Sequence, residues 1–180
     1  IVAGTLIAHP GVISVGTDCD IEGRLLSTEG AITIGSNTIS TFPTGNINVP
    51  IGFSSSRPTA SDVDVLRSVE RFAMFSNIGY ISNAATSGFI GDIGTNSAAA
   101  TSTSITGFGT SNLIGSEIPV GTITGQAKLD LDSAYADLLA LSADSTIPAT
   151  TVFGSSNYDT MYTGVYHVPG AASLAGTITL

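Results

Sequence analysis

Three acidic residues near the start of the chain have the spacing of a cation site. Asp18, Asp20 and Glu22 alternate along the sequence, so on a strand their carboxylates would share one face. Carboxylate oxygens are ligands that Ca²⁺ prefers. The segment lacks the backbone-carbonyl turn and the number of ligands that a calcium loop needs, which favours a solvated strand edge. We therefore predict no metal site here.

Side chains suited to catalysis are few and isolated. His9 and His167 each lack a second ligand at metal-binding spacing, and Cys19, the only cysteine, is expected to be packed rather than reactive. The chain contains neither a Gly-x-Ser-x-Gly nucleophile elbow nor a phosphate-binding glycine loop. A Ser-His-Asp set assembled by the fold alone would leave no motif, and nothing points to one. We predict a protein that is not an enzyme, with no catalytic residues and no cofactor.

The charge balance argues against two classes of partner. The 180 residues include 5 basic and 14 acidic side chains, for a net charge of -9, and the basic residues form no run. Nucleic acid is not an expected partner, because no basic stripe exists to neutralise phosphates. No apolar stretch approaches the roughly 20 residues of a membrane-spanning helix. Since the first residue is Ile1, the chain is either processed or a segment of a longer one, and secretion is the expected reason for processing.

The elements that position these side chains are predicted to be β-strands. Only 11% of residues are charged, against roughly a quarter in an average soluble domain, and Ser, Thr, Asn and Gly supply most of the polarity. Short neutral polar side chains beside β-branched apolar ones favour strands and tight turns.

A repeat of 19 residues at the N-terminus makes the architecture more specific. Two short strands per unit, separated and ended by glycine, are typical of one turn of a β-solenoid, with apolar residues stacked inside and alternate Thr or Ser facing outward. Two similar hairpins that do not stack are the alternative. The aligned pairs are Gly4 with Gly23, Leu6 with Leu25, Gly11 with Gly30, Ile13 with Ile32, Ser14 with Thr33 and Gly16 with Gly35. Later single strands are predicted over 88–94, 121–125 and 175–180.

Two helices and a linker interrupt the strand pattern. Prolines and serines over residues 42–60 predict a linker between a first part, 1–41, and a second part, 61–180. A short helix is predicted over 61–72. A longer amphipathic helix is predicted over Gln126–Ser142, lying along the solenoid and covering one apolar flank. Its apolar face is Ala127, Leu131, Ala134, Tyr135, Leu138 and Leu141.

Several runs of residues resemble a known family. FAMFSN (72–77), GFIGDIGTN (88–96), TGF (106–108), GTITGQAKLDLDSAYADLL (121–139) and YTGVYHVPGAASLAGTITL (162–180) are similar to the opening part of the DUF3494 family, the ice-binding-protein-like domain. Thr163 stands where that family usually has proline. The N-terminal runs VAGTLIAHPGVISVG and IEGRLLSTEGAITIG resemble the last coils of the same domain. The end of one such domain would therefore precede the start of another.

The resemblance implies a right-handed, discontinuous β-solenoid with one long helix alongside, secreted or displayed at the cell surface. It also implies ice binding through a flat solenoid face that carries Thr and other small residues. The chain departs from the simplest pattern because it has no unbroken Thr-x-Thr ladder. The contact residues expected from the resemblance are Thr33, Thr95, Thr101, Thr103, Thr122 and Thr124.

A second hypothesis is an extracellular structural or adhesive protein, such as a filament subunit or a segment of a tandem array. The chain begins and stops inside strand patterns, and unpaired solenoid ends invite pairing from edge to edge. The partner would then be another extended surface or a second copy of the chain, and binding to a carbohydrate surface is a further alternative. The residues expected at the assembly edges are Ile1, Val2, Thr177, Ile178, Thr179 and Leu180.

Overall fold

The computed structural model of the chain describes residues 2–41, 65–84, 87–97, 104–109, 112–153, 158, 160–161, 165–170 and 173–174. These residues form a mostly β structure with a single α-helix, as the composition predicts. The predicted linker, 42–60, lies outside the described residues.

The strands are short and follow one another closely along the chain. In chain order they are β1 (Val2–Ala8), β2 (Ile13–Val15), β3 (Asp20–Ser27), β4 (Ile32–Ile34), β5 (Ile39–Thr41), β6 (Phe72–Ser76), β7 (Ile81–Asn83), β8 (Gly88–Ile90), β9 (Asp92–Thr95), β10 (Ile105–Thr106), β11 (Leu113–Ile114), β12 (Glu117–Ile118), β13 (Ser145–Thr146), β14 (Val152–Phe153), β15 (Tyr166–His167) and β16 (Ser173–Leu174).

Every strand pair among the described residues is parallel. A four-stranded sheet has the order β10-β7-β4-β2. An eight-stranded sheet has the order β11-β8-β5-β3-β6-β9-β12, with β1 also paired to β3. Besides β1, the strand β3 pairs with two different strands along its length. Its first three residues, 20–22, pair with β5, and its last three residues, 25–27, pair with β6. The larger sheet therefore curls at β3. The arrangement is compatible with a β-solenoid.

The 19-residue repeat predicts the strand register correctly. Leu6 pairs with Leu25, and Ile13 pairs with Ile32. The alternative of unstacked hairpins is wrong, because a hairpin pairs antiparallel strands. One detail differs from the prediction: Leu6 is 44% exposed while Leu25 is buried. The reason is that β1 pairs with β3 alone among the described strands, so its side chains are covered on one side only.

Strands from both predicted parts of the chain share the same sheets. β3 and β4, which precede residue 42, pair with β6 and β7, which follow residue 60. The division into parts that resemble the end and the start of a family domain stays a prediction. Residues from both parts nevertheless pack together in the same hydrophobic clusters.

The larger sheet is covered on both sides where it passes through β6. Met74 points into an interior cluster that includes Leu25, Ile32 and Ile81. Phe72 and Phe75 point the other way, into a second cluster with the helix. All five residues of β6 are therefore buried, as in strands covered on both faces.

The helix α1 extends over Thr122–Leu139 and packs against this sheet through Ala127, Leu131 and Ala134, as predicted. The predicted bounds, Gln126–Ser142, are wrong at both ends, and the predicted strand over 121–125 is wrong as well. The Thr124 hydroxyl accepts a hydrogen bond from the Gly121 N–H and donates one to the Gly121 carbonyl. These local bonds start a helix in a sequence whose β-branched residues favour a strand. Within the described part of the chain, no helix is both long and apolar enough to cross a bilayer.

The short helix predicted over 61–72 is a 3₁₀ helix over Arg67–Arg71. Phe72 is already extended and opens β6, so the helix ends earlier than predicted. The reason is that Phe72 is buried as the first residue of β6, and this burial outweighs its helical spacing from the preceding apolar residues. Residues 61–64 lie outside the described ranges.

Candidate functional site

A row of hydroxyl side chains crosses the outer surface of the four-stranded sheet. Ser14, Thr33, Ser82 and Thr106 are paired residues on β2, β4, β7 and β10. Neighbouring strands lie about 4.8 Å apart, so the four side chains form a row about 14 Å long. These four residues are termed the hydroxyl row.

The row is held from beneath by a column of isoleucines. Each hydroxyl residue follows an isoleucine, and successive side chains on a strand point to opposite faces. Ile13, Ile32 and Ile81 are buried, and Ile105 packs against the same core. Their burial directs the hydroxyl residues outward.

Two of the hydroxyls contact each other directly. Thr33 Oγ1 donates a hydrogen bond to Ser14 Oγ over 3.1 Å. Ser14 and Thr106 are exposed, whereas Thr33 and Ser82 are half-buried. The row is thus accessible to solvent along its length.

Among the described residues, those on and beside the strands of the row are all uncharged. The outer surface of this sheet and its flanking residues, 12–16, 31–35, 80–84 and 104–108, are termed the hydroxyl surface. All of these residues are uncharged, although the chain as a whole has a net charge of -9. On one side of the row lie the small residues Gly16, Gly35 and Ala84, and on the other lie Val12 and Tyr80.

A second set of hydroxyls is buried at the corners between the sheets. The Ser27 hydroxyl donates to the Gly11 carbonyl and accepts from the Gly30 N–H. The Ser76 hydroxyl makes the equivalent bonds to Gly30 and Gly79. These side chains are buried and bond backbone groups at the turns, so they are not available to an external ligand.

Thr95 belongs to this buried set, which corrects its prediction as a contact residue. Its side chain is 2% exposed, and its hydroxyl donates to the Gly79 carbonyl over 2.8 Å. Thr124 is wrong as a contact residue for a similar reason, since it is fully buried in the first turn of α1. Thr122 is exposed, but it lies on the helix and not on the hydroxyl surface. Of the six predicted contact residues, Thr33 alone is placed in the hydroxyl row.

The remaining predicted residues fall mostly outside the described ranges. Thr101 and Thr103 lie there, as do Ile1, Thr177, Ile178, Thr179 and Leu180. Val2 opens β1 and pairs with Ile21 of β3.

The other members of the row are not among the predicted contact residues, although the sequence contains a signal for them. Ser14 is aligned with Thr33 by the repeat, and Ser82 and Thr106 each follow an isoleucine in the same way. The spacing between paired residues changes from 19 between Ser14 and Thr33 to 49 and then 24 along the row. Because the spacing is uneven, the row does not appear as a repeat in the sequence.

The acidic residues and histidines are dispersed. Asp18 sits in a turn with a φ of 57° and accepts a hydrogen bond from Asn37, so it does not share a strand with Asp20 and Glu22. The His9 ring stacks on Tyr135 of α1 with centroids 4.1 Å apart. Within the described ranges, no three His, Cys, Asp or Glu residues are grouped closely enough to hold a metal ion.

Asp130 fixes α1 to the 3₁₀ helix. Its carboxylate accepts hydrogen bonds from the Ser68 hydroxyl, the Ser68 N–H and the Gln126 side chain. Burial acts to raise the pKa of Asp130, but these hydrogen bonds and the nearby charge of Arg67 outweigh it and hold the pKa below its ordinary value. This anchored helix covers the larger sheet and leaves the hydroxyl surface open.

Comparison of the chain with protein-family models, with curated proteins and with solved structures finds no match.

Proposed function

We propose that this chain is a secreted, non-enzymatic protein that binds ice through the hydroxyl surface, and that its fold is a right-handed, discontinuous β-solenoid. The observation that supports the proposal is the hydroxyl row, in which Ser14, Thr33, Ser82 and Thr106 lie in register on parallel strands. A regular array of hydroxyl and methyl groups can order water into a lattice. Mobile charged side chains would disturb such a lattice, and the hydroxyl surface has none.

The rigidity of the row also supports the proposal. The buried isoleucines fix the backbone beneath it, and the hydrogen bond between Thr33 and Ser14 restricts two of its hydroxyls. An array that is already ordered loses little conformational entropy when it binds an ordered lattice.

The test is inhibition of ice recrystallisation by wild-type protein and two lysine variants. Thr33→Lys places a long charged side chain in the centre of the row and should abolish inhibition. Thr122→Lys makes the same change on the exposed start of α1 and should leave inhibition at the wild-type level. Wild-type activity in the Thr33→Lys variant would remove the row from the binding surface. No inhibition by folded wild-type protein would reject ice binding.

A second candidate function is end-to-end assembly into a structural or adhesive array. At one end of the stacked strands, Leu6 on β1 is 44% exposed. At the other end, β10, β11 and β12 each pair with one strand among those described, and their core residues Ile105 and Leu113 are half-buried. Unpaired strand edges beside incompletely covered apolar residues favour pairing with another copy.

Sedimentation over a wide concentration range tests the assembly. Growth of the particle with concentration, and its suppression by Leu113→Asp, is the expected result. A monomer at all concentrations would contradict the second candidate and leave the ice-binding proposal untouched.

A further inference from the structure

Tyr80 places an exposed aromatic ring on the hydroxyl surface. The residue precedes β7, and its carbonyl accepts a hydrogen bond from the Ile32 N–H over 2.9 Å, which fixes its backbone. The next residue, Ile81, is fully buried, so alternation directs the Tyr80 side chain outward. The side chain is 52% exposed. Among the phenylalanines and tyrosines that the structure describes, the others are buried or half-buried.

The ring lies next to the hydroxyl row. Ser82, on β7, is two residues further along the extended chain and on the same face, about 6.6 Å from Tyr80 between Cα atoms. On the adjacent strand, Ala31 lies opposite Tyr80 and is 8% exposed, and Val12 follows on the strand beyond it. The surface therefore offers an apolar band that includes a ring, parallel to a band of hydroxyls.

We propose that the hydroxyl surface also binds a neutral polysaccharide chain, with Tyr80 as the stacking platform. A sugar ring has an apolar C–H face and a rim of hydroxyls. Tyrosine offers a flat apolar ring with a polar tip, which suits the C–H face. The hydroxyls of Ser82, Thr33 and Ser14 both donate and accept hydrogen bonds, which suits the rim.

The charge of the surface selects a neutral ligand. The hydroxyl surface contains no Lys or Arg to pair with a carboxylate or sulfate group. A net charge of -9 on the rest of the chain repels an anionic polysaccharide. An uncharged polysaccharide needs no cationic partner and is not repelled by the negative charge of the chain.

The two ligands make different demands on residue 80. A lattice of ice is matched best by small side chains of equal height, and the Tyr80 ring projects beyond them. A sugar chain needs such a ring. Substitution of Tyr80 therefore separates the two functions of one surface.

The experiment measures depletion of the full chain from solution by microcrystalline cellulose and by chitin, with alginate beads as the anionic comparison. Wild-type protein should bind at least one of the neutral polymers and should not bind alginate. Tyr80→Ala should weaken binding about tenfold, while Tyr80→Phe, which keeps the ring, should bind close to wild type. Ile114→Ala, at a 72% exposed residue of the larger sheet, is the matched control and should bind as wild type does.

Four results would overturn the proposal: no depletion by either neutral polymer, equal binding by Tyr80→Ala and wild type, equal loss in Ile114→Ala, or equal binding to alginate. Circular dichroism of each variant confirms that the fold is intact. Ice recrystallisation is measured on the same samples, and Tyr80→Ala should retain wild-type inhibition or exceed it. Failure of polysaccharide binding is thus distinguished from failure of ice binding.

Discussion

Thr33 and Ser14 are 19 residues apart in the chain, yet the Thr33 hydroxyl donates a hydrogen bond to the Ser14 hydroxyl over 3.1 Å. They meet because β2 and β4 are adjacent parallel strands in which Ser14 pairs with Thr33. The repeat in the sequence thus becomes a regular surface in the structure. The members of the row differ, however, since two are serines and two are threonines.

Completing the row with threonine should strengthen ice binding. Ser14→Thr with Ser82→Thr adds two outward methyl groups, so that all four paired residues present both a hydroxyl and a methyl group. β-branched residues also favour strands, so the fold should not be weakened. We expect a lower protein concentration for half-maximal inhibition of ice recrystallisation. Ser116→Thr, an exposed serine outside the hydroxyl surface, is the control and should change nothing.

Stacking of the chain on itself should make one glycine of the repeat indispensable and its equivalent dispensable. A Cβ atom at Gly30 would lie 1.8 Å from the Gly11 carbonyl oxygen, whereas one at Gly11 would have no other atom within 4 Å. Gly30→Ala should lower the free energy of unfolding by about 3 kcal/mol. Gly11→Ala should change it by less than about 1 kcal/mol. Urea unfolding measures both, and equal effects would contradict the stacking of Gly30 on Gly11.

The sequence predicts the register of the first strands because their spacing is regular. Leu6 with Leu25 and Ile13 with Ile32 follow directly from the repeat. The start of α1 could not be predicted in the same way. Thr122, Ile123 and Thr124 have strand propensity, whereas the local bonds between Thr124 and Gly121 start a helix there.

The sequence predicts the residue types of the candidate surface better than it predicts which residues lie there. The resemblance implies Thr33 as a contact residue, and the repeat predicts that its side chain faces outward. Thr95 and Thr124 have the same residue type, but both side chains are buried and bond backbone carbonyls instead. Whether a threonine side chain is exposed or buried depends on where the chain turns between strands. Because the spacing to Ser82 and Thr106 is uneven, the sequence does not predict where those turns lie.

Removal of a corner hydroxyl should cost far more stability than removal of a surface hydroxyl. The Ser76 hydroxyl is fully buried and bonds both the Gly30 carbonyl and the Gly79 N–H at 2.8 Å. Ser76→Ala removes the partner of a backbone carbonyl and of a backbone N–H at the turn, and should cost about 1–3 kcal/mol. Ser82→Ala in the hydroxyl row should cost less than about 0.5 kcal/mol. Similar losses in the two variants, measured by urea unfolding, would show that the corner bonds do not hold the turns.

The carboxylate of Asp130 should make the fold sensitive to acid. The pKa of Asp130 is lower in the folded chain than its ordinary value of 3.8, so the unfolded chain binds this proton more readily. The charged carboxylate therefore stabilises the fold above about pH 3.8, and this contribution is lost as the pH falls through the folded pKa.

Asp130→Asn should lower the free energy of unfolding by about 1–2 kcal/mol at pH 7, because it weakens hydrogen bonds from Ser68 to a charged acceptor. It should also flatten the decline in stability below pH 4, since the variant has no proton to bind at this residue. Asp132→Asn is the matched control, because Asp132 is exposed and pairs with Lys128 on the helix surface at 3.5 Å. Its effect should be below about 0.5 kcal/mol. Thermal unfolding between pH 2 and pH 7 measures both variants, and a wild-type acid slope in Asp130→Asn would mean that other carboxylates cause the sensitivity.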